Sequence, residues 1–228
     1  MLFANAWRAA IISSALVASA LPVAAFGIGL QPTTVEMQIE PGERHRQVIH
    51  LGNVHTEDTI ALTLGLADWS LDEAGQIELM PPGEGEGSAS DWVRFSPAFV
   101  TLQPGETEQI IVDMAAPIRV SRAGDHRFAL IASTILPEER SGQSGVWKKY
   151  QLASLFYLTL GEGESTPSVR GASLSTAPNG QAQVDLAFEN TGNAHARLRG
   201  QMTVKGDGAD PIFVPLNNIV VLDGATRT

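Results

Sequence analysis

The chain has 228 residues, 43% of them hydrophobic, no cysteine and a formal net charge of −10. The lack of cysteine excludes disulfide staples, thiol nucleophiles and thiolate metal sites, so stability must come from apolar cores. An acidic balance argues against nucleic acid, whose phosphates require basic patches.

In chain order, Arg8 supplies a positive start and Ala9 to Val23 an apolar run broken only by small hydroxyls. Val23-Ala24-Ala25 places small residues at the −3 and −1 positions of a cleavage site. Residues 1–25 therefore read as a secretory signal peptide. The alternative is an uncleaved anchor, but the run is shorter than the ~20 residues needed to span hydrocarbon. No later stretch is apolar enough to span a membrane.

The remaining chain reads as all-β. Leu30 to Ile39 is expected to be the first strand, with Val35, Met37 and Ile39 on one face. Pro41-Gly42 turns the chain, Gln47, Ile49 and Leu51 continue the alternation, and Gly52-Asn53-Val54-His55 forms a corner. Ile60, Leu62, Leu64 and Leu66 have the period-2 spacing of a central strand with one face in a core. Asp72 to Gly75 reads as a hairpin turn, and Met80 to Asp91, rich in Gly and Pro, as a mobile loop.

Trp92 to Thr134 contains three strands: Phe99 to Leu102, a run through Ile110, Val112 and Met114, and one from Gly124 through Phe128, Leu130 and Ala132. Pro104-Gly105 and Pro117 separate them, by turn chemistry that presets φ or permits a positive one. Pro137 to Gly145 is a further polar loop, and Trp147 to Leu160 a long strand. Its continuous Leu155-Phe156-Tyr157-Leu158 run predicts cover on both faces.

Gly161 to Pro167 marks a domain boundary, giving units at 26–162 and 163–228. The alternation restarts at Val184, Leu186 and Phe188, and Gly192-Asn193-Ala194-His195 echoes Gly52-Asn53-Val54-His55. The fold expected is two tandem immunoglobulin-like β-sandwiches. The C-terminal unit reads as incomplete, with roughly 60 residues against roughly 100 for a seven-strand domain. Either the chain is truncated or its last strands come from elsewhere; truncation is the favoured expectation.

Certain residues carry a family resemblance: Asp91-Trp92-Val93-Arg94-Phe95-Ser96-Pro97, Leu102-Gln103-Pro104-Gly105-Glu106, Pro117, the Gly124-to-Ala132 strand, Ile135-Leu136-Pro137 and Leu155-Phe156-Tyr157. Together they resemble the first domain of periplasmic pilus-assembly chaperones. Asn190-Thr191-Gly192-Asn193 and Gly224-Ala225-Thr226-Arg227 are similar to the second domain of chaperone-like relatives. The resemblance implies two sandwiches set at an angle around a cleft. It also implies β-strand addition to incomplete subunits of a pilus or surface fibre, a periplasmic location and an outer-membrane usher as a further partner.

The family anchors its subunit with an arginine and a lysine; alignment puts Thr34 and Ser154 at those positions, with Lys148 and Lys149 just upstream. The donor stretch offers Trp147 and Tyr150 as pocket-fillers, with Leu152 on the same offered strand. The alternative is a secreted structural or adhesive module of an envelope complex with no chaperone activity.

Little chemistry competes with this reading. His45, His50 and His55 are five apart, a spacing that alternates strand faces and suits no common ligand set, so the five histidines are expected at surfaces or turns. Asp72 to Gly75 lacks the acidic ligands of a calcium loop. No serine lies in a nucleophile elbow, and no Gly-rich stretch has the context of a phosphate cradle. No cofactor, metal or catalysis is expected. Trp92 and Trp147 could anchor an interface, but packing in a core or at an edge is the expectation for both.

Overall fold

Period-2 alternation becomes strands wherever it occurs in the computed structural model, which describes residues 27–119, 122–134, 149–177, 179–206, 208 and 210–228. The predicted signal peptide, the 137–145 loop, Trp147 and Lys148 lie outside them. The strands are β1 (Ile28–Gln31), β2 (Thr34–Ile39), β3 (Arg44–Asn53), β4 (Ile60–Leu71), β5 (Ile77–Met80), β6 (Val93–Ser96), β7 (Phe99–Leu102) and β8 (Thr107–Ala115). They continue as β9 (Gly124–Thr134), β10 (Tyr150–Leu160), β11 (Pro167–Thr176), β12 (Ala182–Asn190), β13 (Ala196–Val204), β14 (Ile212–Val221) and β15 (Thr226–Arg227).

β1-β3-β8-β6 form one sheet of the first sandwich, and β2-β10-β9-β4-β5, with β7 on β4, form the other. Between them lies a core of Ile49, Leu51, Ile60, Leu62, Ile110, Val112, Met114, Phe128, Leu130 and Phe156, among others. Phe128 and Phe156 stack there at 4.3 Å. The C-terminal unit pairs β11-β12-β15 in one sheet and β13-β14 in another. The protein is thus all-β, with two sandwich units.

Four local expectations change. The single strand expected over Leu30 to Ile39 is two, on opposite sheets. Pro32 lacks the N–H a ladder needs, and the chain crosses there: β1 pairs antiparallel with β3, and β2 pairs parallel with β10. The loop expected to be mobile is tied down, since the buried Asp68 carboxylate accepts bonds from Gly83 N, Gly85 N, Ser88 Oγ and Ser90 Oγ at 2.6–2.8 Å. The Asp72–Gly75 turn forms as expected, with Gly75 at φ +76°.

The histidines are not all at surfaces. His126 is buried and its ring lies tilted against Trp92 at 4.6 Å, and Trp92 packs against the core.

The fourth change concerns the internal echo, which is real but shifted. The side chains with matching roles are Asn53 and Asn190, both fully buried at strand ends. Each amide donates to the carbonyl that precedes a turn, Leu102 O at 3.1 Å and Leu222 O at 3.2 Å. Each Oδ1 accepts the backbone N–H two residues on, from His55 and Gly192. Each backbone N–H reaches into the same turn, at Glu106 O and Ala225 O. The Gly-Asn-x-His similarity is a coincidence of composition beside this device.

Candidate functional site

The apolar run in β10 is covered on both faces, as its sequence predicts. Phe156, Leu158 and Leu160 enter the first core, while Leu155 and Tyr157 meet Trp69, Ala129, Ile131, Val220 and Leu222 in a separate cluster. Val220 and Leu222 belong to the C-terminal unit, so this cluster joins the two. Trp69 stands edge-on to Tyr157 at 4.7 Å, and its Nε1–H donates to Phe128 O.

Polar groups frame that apolar contact. Asp125, on β9 and fully buried, accepts bonds from His195 N and His195 Nδ1, both at 2.6 Å, and from Thr159 Oγ1 at 2.7 Å. Tyr157 lies against the His195 ring at 4.4 Å, and Arg197 pairs with Glu36. Arg122 and Arg127 both pair with Asp223. Gly124, at φ +102°, lies so close to Asn193 O that a Cβ there would collide with it.

Electrostatics follow from these contacts. Burial raises the pKa of Asp125, but hydrogen bonds from His195 and Thr159 outweigh it and hold the carboxyl below its usual range. Burial likewise opposes the Arg197 bond and charge at Glu36, and again the lowering wins. Desolvation pushes His126 down. Sequence spacing missed the Asp125–His195 pair because 70 residues separate its members. It does not make a catalytic dyad. His195 Nε2 faces Glu36 Oε2 at 3.6 Å, where a triad would hold a nucleophile. Among the described residues, no group of three or more His, Cys, Asp or Glu could hold a metal ion.

The other half of β10 is different. β9 pairs with it throughout, from Tyr150↔Thr134 to Leu160↔Gly124. β2 pairs only from Leu155↔Thr34 to Leu160↔Ile39. Among the described residues, no strand pairs with Gln151–Ser154 on the side away from β9. Tyr150 and Leu152 on this half are partly buried against the first core.

Thr34 stands opposite Leu155, the residue after Ser154, at the point where β2 begins. Thr34 is exposed, whereas Ser154 is fully buried and donates to Pro32 O at 2.7 Å. Neither carries a positive charge. Exposed Lys149 lies with Gln151 at the rim of a groove of about 710 Å³, floored by Ala61, Gly65 and Ala67.

These features define an immunoglobulin-like, two-sandwich protein whose tenth strand, among the described residues, is paired on both sides from Leu155 to Leu160 and on one side from Gln151 to Ser154. A scan against protein-family models and a search of curated proteins return no match. Solved structures do match: the class 5 fimbriae chaperone CfaA, at TM-score 0.50 and 11% identity, covers 87% of this chain and 83% of its own. The YadV chaperone, at TM-score 0.50 and 8% identity, covers 88% of this chain and 83% of its own. At such identities the likeness is one of fold, and it extends across both units.

Proposed function

We propose that this chain is a periplasmic chaperone-like protein that binds subunits of a pilus or surface fibre by β-strand addition at the open half of β10. The carrying observation is the edge at Gln151–Ser154, which among the described residues pairs with β9 on one side and with no strand on the other. An extended segment laid along that edge would gain main-chain hydrogen bonds, with side chains at alternate positions giving specificity. The likeness of fold to the fimbriae chaperone CfaA supports this reading.

In this reading residues 1–25 direct export and are cleaved, 26–162 form the binding unit and 163–228 the other sandwich. The residues assigned to partner binding are Trp147, Lys148, Lys149, Tyr150, Leu152, Ser154 and Thr34; of these, Tyr150, Leu152 and Ser154 lie on β10 and Thr34 on β2. An outer-membrane usher is the expected further partner. Without a cation at Thr34 or Ser154, affinity rests on the strand edge and not on capture of a terminal carboxylate there.

The test is co-expression with fibre subunits encoded beside its gene. Wild-type chain should co-purify with a subunit, and Leu152→Pro should reduce both the complex and fibre yield. Leu152→Asp, with its melting curve measured alongside, separates loss of binding from loss of fold. If no subunit co-purifies and neither variant alters fibre yield, the proposal fails. A chain retained permanently in mature fibres would favour a structural module instead.

A further inference from the structure

The outer face of the β1-β3-β8-β6 sheet carries a concentration of positive charge that the strand-edge reading does not use. Arg44 and Arg46 project from β3 and Arg94 from β6, all exposed. The register places Asp113 of β8 directly between Arg46 and Arg94. Arg46 grips Asp113 with two bonds, at 2.7 and 3.1 Å. Among the described residues, Arg94 donates to its own neighbour, Val93 O, at 2.7 Å.

Arg44 stands opposite Ala115, whose small side chain leaves a recess between them, lined also by Trp92 and His45. His45 is paired with Glu43 at 2.9 Å, and His126 fixes Trp92 from behind. Among the described residues, three guanidinium groups thus share this face with one carboxylate, on a chain whose formal charge is −10.

We propose that this face is a docking site for an acidic, extended segment of a protein partner. Its spacing fits such a segment. Alternate residues on one strand stand about 7 Å apart and neighbouring strands about 5 Å apart. Arg46 is already taken by Asp113. Arg44 and Arg94 lie two strands apart and offset by one alternate position, about 12 Å. They therefore match carboxylates at positions i and i+4 of an extended peptide, in the planar fork geometry arginine offers. The central Asp113 favours a peptide over a bare polyanion, because a peptide also brings N–H donors. Trp92 supplies an apolar wall for an intervening side chain. The rest of the acidic surface repels such a segment, so the positive face also selects its orientation.

The test uses the mature chain and a fluorescein-labelled peptide of four Glu-Ser repeats, read by fluorescence anisotropy at low salt. The peptide should bind, a Lys-Ser counterpart should not, and added salt should weaken binding. Arg44→Glu together with Arg94→Glu should lower affinity about tenfold or more. Because both side chains are exposed, circular dichroism should stay unchanged.

No binding, or binding indifferent to the double charge reversal, overturns the proposal. So does equal reversal-sensitive binding of inorganic phosphate or phosphatidylglycerol vesicles, which would assign the face to phosphate groups. Self-association in sedimentation that the reversal abolishes would assign it to another copy of this chain. Strand-edge variants such as Leu152→Asp should leave peptide binding intact, which separates this surface from the subunit site.

Discussion

Replacing Asp125 tests how the two units are held. Its carboxylate is fully buried and receives three donors, His195 N, His195 Nδ1 and Thr159 Oγ1. Two of the three come from the C-terminal unit. Hydrogen bonds to a charged acceptor contribute about 1.5–3 kcal/mol each, and buried donors left unpaired carry a further penalty. Some of this is recovered as water enters, so Asp125→Ala should cost about 3–5 kcal/mol. Asp125→Asn should cost less, because one oxygen still accepts while the new N–H₂ confronts a donor.

Native-state hydrogen exchange gives the most direct reading. The His195 amide should lose about 100-fold protection in Asp125→Ala, as expected for about 3 kcal/mol. A double-mutant cycle with His195→Ala should show strong coupling. If both variants leave His195 exchange and the denaturation midpoint unchanged, Asp125 does not seat the C-terminal unit.

Acid should act in two stages. The pKa of His126 is lowered in the fold, so the unfolded chain takes up its proton first. Stability should then fall as pH drops below about 6.5, and His126→Gln should remove that limb from a plot of denaturation midpoint against pH. The pKa values of Asp125 and Glu36 are also lowered, so their contribution is complete above about pH 5 and is lost as pH falls further through their folded values.

Asn190→Ala should destabilise by about 2–3 kcal/mol, since its amide serves three carbonyls and its Oδ1 two N–H groups. Chemical denaturation reads this directly, and Asn53→Ala should behave alike. By contrast Arg46→Ala, which removes an exposed pair with Asp113, should leave the midpoint unmoved.

Much of the fold was legible because a half-buried strand writes its period into the sequence. Ile60, Leu62 and Leu64 face one core, as do Ile110, Val112 and Met114. The uninterrupted run at Leu155–Leu158 correctly announced two covered faces. What periodicity could not show is which sheet a strand joins. Residues either side of Pro32 share one alternation yet pair with different strands. Nor could it show that Asp68 organises a Gly-rich loop or that Asp125 meets His195, because both depend on partners distant in sequence. The long strand was legible from its residues, whereas its reading as an edge offered to a partner came from the family resemblance alone. Its availability depends on β2 beginning only at Thr34, a consequence of that same crossing.

The two halves of β10 explain each other. From Leu155 to Leu160 the strand is held by β9, β2, the first core and the C-terminal unit together. From Gln151 to Ser154 β9 still pairs with it, and Leu152 still packs on the core, so the backbone is already extended before any partner arrives. Under the proposed strand addition, a partner segment would therefore not have to order its template, a cost that otherwise subtracts from affinity. The seat formed by Tyr157, Trp69, Val220 and Leu222 contributes indirectly, by fixing the lower half of the same strand. Tyr157→Ala should then loosen the C-terminal unit and weaken subunit binding without touching the edge itself. Gln151→Ala should leave the seat intact, and any loss of binding in it must arise at the edge. A Tyr157→Ala chain that binds subunits as tightly as wild type, despite faster exchange across the seat, would show that the two halves act independently.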